Sequence, residues 1–117
     1  KIAFHSDGYI EPIIDDFIEV GVDLLNPIQP ESMDPAFIKK RYGSQVGLWG
    51  TISTQQALPF GKPGDVINEI RERIKTCGQG GGFLLAPTHN IQLDVPFENI
   101  DAFYMAVNKY GNYPLDL

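Results

Sequence analysis

Lys1-Ile-Ala-Phe4, then His5-Ser-Asp-Gly8, then Ile10, Ile13, Ile14, Phe17 and Ile18 form the stretch from which the architecture can be read. The opening run is too short and too apolar for a surface helix and reads as a strand. The next apolar residues fall at i, i+3, i+4, i+7 and i+8, the stripe of an amphipathic helix. Gly21 closes that helix. Strand, polar tip and helix therefore make one unit.

The unit recurs along the chain. Val22-Asp-Leu-Leu25 ends in Asn26-Pro-Ile-Gln-Pro30, and Asp34-Pro35 reads as an N-cap with proline at the first helical position of a short helix closed by Gly43. Val46-Gly-Leu-Trp49 leads to Gly50-Thr-Ile-Ser-Thr54, a loop through Phe60, and a helix from about Pro63 that turns Val66, Ile67, Ile70 and Ile74 inward. Gly82-Phe-Leu-Leu-Ala86 is followed by Pro87-Thr-His-Asn-Ile-Gln92 and a last helix presenting Ile100, Phe103, Val107 and Tyr110. Strands so uniformly apolar are expected to be buried on both faces, as in a parallel sheet. Their alternation with helices gives an α/β fold of right-handed βα units. The pattern fits two architectures: a small open doubly wound sheet, or half of a (β/α)8 barrel. A half-barrel exposes two strand edges and its inner face, so it is expected to self-associate as a homodimer or to pair with the rest of a parent barrel.

A length of 117 residues makes room for one domain, 1–117, with no internal boundary. The chain opens at Lys1 without Met, directly into an apolar run, as expected of a piece of a longer chain. Nine basic and fifteen acidic residues leave a net charge of −6, which argues against nucleic acid as a partner. The dense basic stretch Lys39-Lys40-Arg41 falls at a helix end, where cations favour the macrodipole. No apolar run approaches the roughly 20 residues of a membrane span, and no leader pattern is seen. With a single cysteine, Cys77, no internal disulfide can form, so a soluble, cytoplasmic protein is expected.

Ligands of either architecture gather where strands hand over to helices. The tips carry His5 and Asp7, then Asn26 and Gln29, then Trp49 and Thr51, then His89, Asn90 and Gln92; both histidines of the chain are among them. If the first strand continues through its tip, His5 and Asp7 share one face. With His89 they form a two-histidine, one-carboxylate set suited to zinc or another divalent metal. The same residues also fit structural roles, with Asp7 capping the following helix and His5 hydrogen-bonding a loop. Trp49 suits a pocket wall or the core. Gln79-Gly-Gly-Gly82 precedes a strand and reads as a connection, not a phosphate cradle. Cys77 lies on a helix stripe and reads as packing. Asp15, Asp16 and Glu19 read as a solvated face, and Asp94 and Glu98 as carboxylates near a helix N-terminus. No nucleophile elbow appears.

The series His5-Ser-Asp-Gly8, Gly21-Val-Asp-Leu-Leu-Asn-Pro27, Trp49-Gly50, Ala86-Pro-Thr-His-Asn-Ile-Gln92 and Pro96-Phe-Glu-Asn-Ile100 resembles the uroporphyrinogen decarboxylase superfamily. The resemblance runs from Lys1 to about Pro114. It implies the C-terminal half of a (β/α)8 TIM barrel, strands five to eight, with the N-terminal half elsewhere. In the decarboxylases, carboxy-lyases that need no metal, a histidine after the last strand helps to bind the tetrapyrrole, and His89 stands there. Their catalytic arginine and aspartate belong to the other half. Their Gly-Asn-x-Asp-Pro segment is replaced here by Gly50-Thr-Ile-Ser-Thr54, a departure from the porphyrin branch. A second branch comprises cobalamin-dependent methyltransferases, which take a methyl group from a corrinoid to a thiol. They hold zinc on a His-x-Cys pair after strand five and a cysteine after strand eight. His5-Ser-Asp7 and His89 match those positions, with aspartate and histidine in place of the two cysteines. The resemblance thus implies His5, Asp7 and His89 as metal ligands; together with the tip positions it makes His89 and Asp7 the catalytic candidates and Asn26, Gln29, Trp49 and Gln92 the substrate-binding ones. A half-barrel serving only assembly is the noncatalytic alternative.

Overall fold

The computed structural model describes residues 1–115. Strands β1 (Ala3–His5), β2 (Leu24–Asn26), β3 (Gly47–Trp49) and β4 (Phe83–Leu84) form one sheet in sequence order. Every pairing is parallel, with His5 opposite Asn26 and Trp49 opposite Leu84. The connecting helices are α1 (Ile14–Glu19), α2 (Pro35–Tyr42), α3 (Ala57–Phe60), α4 (Pro63–Cys77) and α5 (Phe97–Tyr110). A doubly wound sheet reverses its order so that helices cover both faces. Right-handed crossovers that always step the same way put every helix on one face. The unbroken order β1-β2-β3-β4 is of this second kind. Of the two architectures the sequence leaves open, it selects the barrel-type one.

Burial on both faces does not hold. Leu25 and Leu48 point at the helices and are 0% exposed, whereas Leu84, on the opposite face, is 50% exposed. β1 is exposed throughout, although Phe4 still meets Phe17 of α1 with ring centroids 4.4 Å apart. The reason is one of layers: α1 to α5 cover a single side, and no described element covers the other. Apolar composition marks a strand without saying which of its faces has a neighbour.

The helices follow their local signals with two differences. Asp34 caps α2, its Oδ1 accepting from the Ala36 N–H at 3.0 Å. The first helix opens with a 3-10 turn over Glu11–Ile13, where Pro12 suits an early position. A single helical turn, α3, occupies the expected loop before Pro63. In α5 the buried residues are Asn99, Ala102, Phe103 and Ala106, while Ile100, Val107 and Tyr110 flank them. The small alanines let α5 lie close to α4, so the contact centres on them and not on the larger residues beside them.

The connection into β4 explains its glycines. Gly80, Gly81 and Gly82 all have positive φ (76°, 77° and 63°), a run that side chains would strain. The Lys39 ammonium donates to the Gly81 carbonyl, and Arg41 lies 5.0 Å from the centre of the Tyr42 ring. The basic stretch is thus engaged in the fold. Cys77 is fully buried, and burial pushes its thiol up, as suits a packing residue.

Beneath the second and third tips lies a network of polar side chains. Ser53 donates its N–H to Glu69 Oε1 at 3.1 Å and its hydroxyl to Glu31. Glu69 Oε2 is buried without a partner among the described residues, and Arg73 Nη2 is 3.9 Å from Oε1. Burial is the main reason that the Glu69 carboxyl titrates above the usual range; the Ser53 N–H and Arg73 oppose this only in part. The folded state therefore holds the Glu69 proton more tightly than the unfolded chain does. That stabilisation is complete below the unfolded pKa and is lost as pH rises through the folded one. Glu69→Gln should accordingly gain in stability relative to the wild type as pH rises from the ordinary carboxylate range to neutrality. Thermal melts at the two ends of that interval check this, and a relative loss at neutral pH would mean that the Arg73 pair outweighs burial.

Candidate functional site

The β1–β2 register sets the site. Because His5 and Asn26 are direct partners, their side chains share a face, and His5 Nδ1 lies 2.7 Å from Asn26 Oδ1. Asn26 Nδ2 donates to the Trp49 carbonyl on the next strand at 3.2 Å. Gly50 follows with φ +78°, and a Cβ there would stand 3.1 Å from Asn26 Nδ2 and 3.0 Å from the Pro87 carbonyl. Two residues beyond His5, Asp7 brings Oδ2 to 3.6 Å from His5 Nε2. Asp7 does not cap a helix, for neither the 3-10 turn nor α1 has a side-chain cap.

His89 arrives from the other edge of the sheet. Pairing continues past the end of β4 through the bridge Ile52–Pro87, and the Thr88 N–H donates to the Ile52 carbonyl at 2.9 Å. The next residue, His89, sets its ring edge-on to that of His5, with centroids 6.0 Å apart. His5, Asp7 and His89 each offer one ligand atom, and the three atoms lie within 4.8 Å of one another. All three residues are exposed.

Two cavities flank this cluster. The first, of about 490 Å³, is lined by His5, Asn26, Trp49 and His89 together with Pro87 and Ile91. The second, of about 530 Å³, has Asp7, Gln29, His89, Gln92 and Asp94 in its wall, with Phe60 at its edge. His89 belongs to both. Of the nine tip residues singled out from the sequence, all but Thr51, which is buried, line one cavity or the other. Trp49 is half-buried and forms pocket wall. Gln29 is buried, and its Oε1 accepts the Gly8 N–H at 3.0 Å, which ties the first tip to the second. Asp94, read from the sequence as a helix-terminus carboxylate, is a wall residue that the reading missed. Thr54, Gln55 and Phe60 were missed too, since nothing in their spacing shows that the third tip folds back over the fourth.

The family model described as uroporphyrinogen decarboxylase matches residues 1–110. The chain belongs to the uroporphyrinogen decarboxylase family. Among curated relatives, the uroporphyrinogen decarboxylase of Pseudoalteromonas atlantica is 33% identical over 73 residues, covering 62% of this chain and 20% of the relative. That of Actinobacillus succinogenes is 29% identical over 92 residues, covering 79% of this chain and 23% of the relative. The match thus takes in about a fifth of the length of these family members. A solved methyltransferase from Methanosarcina mazei superposes with a TM-score of 0.78 at 24% identity, over 94% of this chain and 31% of that one. At that identity the likeness speaks for the fold, which agrees with the family. No helix of the described residues is long and apolar enough to cross a membrane.

Proposed function

We propose that this chain carries one rim of a family active centre that holds zinc or another divalent ion on His5, Asp7 and His89, as in a corrinoid-dependent methyltransferase. The observation that carries the reading is the convergence of the three ligand atoms within 4.8 Å from opposite edges of the sheet. Two imidazoles and a carboxylate suit such an ion, and three protein ligands leave a position open for a reactant. Once bound, the ion would lower the pKa of a nucleophile and orient it. The chain's own contribution is placement. β1 places His5, the tip tied down by Gln29 at Gly8 carries Asp7, the Ile52–Pro87 bridge holds the segment that bears His89, and Trp49 walls off one side. Asn26, Gln29 and Gln92 are the amides offered to substrate, and His89, which lines both cavities, and Asp7, which lines the second, are the catalytic candidates.

The second reading is decarboxylation of a tetrapyrrole without a metal, with His89 binding substrate; the names of the curated relatives favour it. Charge weighs against it. On the part of the site that this chain supplies, Asp7 and Asp94 line the second cavity and would repel a ligand rich in carboxylates. The third reading, a noncatalytic assembly half, gives no reason for the ligand atoms to converge. The open sheet face and edges support pairing with the remainder of a barrel or with a second copy as a homodimer.

Dialysis against zinc followed by metal analysis, with a parallel titration of uroporphyrin, separates the readings. One tightly held zinc per chain, and no uroporphyrin binding, is the expected result. A metal-free chain that binds uroporphyrin would overturn it. Sedimentation of the same sample should show a dimer or larger species; a stable monomer at micromolar concentration would rule out self-association.

A further inference from the structure

We infer that Asn26 is a positioning residue: its side-chain amide fixes the tautomer of His5 and so decides which ring nitrogen is offered to an ion. The inference rests on the metal reading above for its purpose, but its geometry stands without a metal.

The Asn26 amide has one workable orientation. Its NH2 group donates to the Trp49 carbonyl at 3.2 Å. Turned over, it would set oxygen against oxygen at that contact. Oδ1 is thereby directed to His5 Nδ1 at 2.7 Å. An amide oxygen can only accept, so the proton of a neutral His5 ring sits on Nδ1 and the lone pair on Nε2. Nε2 is the atom that faces Asp7, 3.6 Å from its Oδ2. The proton therefore lies on the side away from the cluster. A partner on the far nitrogen of a metal-binding histidine orients the ring and makes it a better ligand.

The fold gives Asn26 little latitude. It is paired with His5 in the β1–β2 register, and the Ser6 N–H donates to its backbone carbonyl at 2.9 Å. Room for the amide is kept by Gly50, where a Cβ would crowd Nδ2 at 3.1 Å. With one donor on the Trp49 carbonyl and the oxygen on His5, the orientation of the amide is set by the protein itself.

The test is nitrogen NMR of the full chain labelled at histidine and free of metal, at about pH 8 where an ordinary imidazole is neutral. His5 should show a protonated Nδ1 and a bare Nε2. Asn26→Ala should lose that preference and weaken zinc binding by about 10- to 100-fold. Asn26→Asp keeps an acceptor for His5 Nδ1 and should restore the tautomer, but it sets an oxygen against the Trp49 carbonyl and so should recover only part of the affinity. Wild-type His5 protonated on Nε2 would overturn the inference. So would an Asn26→Ala chain, folded by its melting curve, that matches the wild type in tautomer and affinity. If the wild type binds no zinc, the metal reading falls, and the metal-free tautomer still decides the role of Asn26.

Discussion

His5→Ala and His89→Ala will each lower the affinity for zinc by at least about 100-fold, because the loss of a ligand should exceed the 10- to 100-fold typical of removing an outer partner. Each substitution takes away one of three donors and leaves a pair too few to hold the ion against water. The fold should not notice. Both residues are exposed, and neither belongs to the buried clusters beneath the sheet. Melting temperatures should stay within the shift produced by about 0.5 kcal/mol, as for ordinary surface changes. Zinc titration of the wild type and both variants, with circular dichroism of each, provides the check. Equal affinity in all three chains would remove the proposed centre. A larger loss for His5→Ala than for His89→Ala would follow if Asn26 orients His5 as inferred, because His89 has no such outer partner among the described residues.

Asn99→Ala will cost roughly 2–4 kcal/mol, the largest stability effect expected from one polar side chain here. Asn99 is 1% exposed, and its Nδ2 donates to the carbonyls of Leu58 at 2.9 Å and Gly61 at 2.7 Å. Removing the amide leaves both acceptors without this donor and opens a small void between α5 and α3. The melting temperature should fall by about 10 °C. Zinc affinity should fall less than in the histidine variants, because α3 borders the second cavity and supplies no ligand. Asn99→Asp discriminates further: it preserves the shape but cannot donate, so it should be at least as harmful as alanine. A variant that melts like the wild type would show that water replaces the amide without loss.

Asn99 also marks how far the sequence can be read. The stripe Ile100, Phe103, Val107 and Tyr110 announces helix α5 and its approximate inner face. It hides the true centre of the contact, one residue away, where a buried asparagine serves the backbone of a distant turn. Periodicity records apolarity and is blind to a polar group that is buried because it is bonded. Glu69 escaped for the same reason, since a glutamate four residues before Arg73 looks like a solvated pair. The four strands and their tips were legible because short apolar runs ending in polar residues repeat with the same order of parts. The second imidazole was legible as a tip residue, but its nearness to the first was an expectation only. That proximity follows from the pairing order of the sheet and from the bridge beyond β4, neither of which leaves a local mark. The role inferred for Asn26 was invisible, because an asparagine at a strand end suits substrate binding equally well.

The bridge between Ile52 and Pro87 has a consequence for how an ion would be held. Backbone pairing reaches within two residues of His89, while His5 is itself part of a strand, so the two imidazoles come from segments whose spacing is set before any ion arrives. The exposed side chains on such a frame would still have to draw inward, because atoms up to 4.8 Å apart are more widely spaced than the ligands of tetrahedral zinc. Calcium asks for six to eight oxygens at about 2.3–2.6 Å and a pliable surround, whereas zinc accepts four donors at about 2.0–2.2 Å. The donors, more than the spacing, therefore choose the ion: two imidazole nitrogens suit zinc and leave calcium short of oxygens.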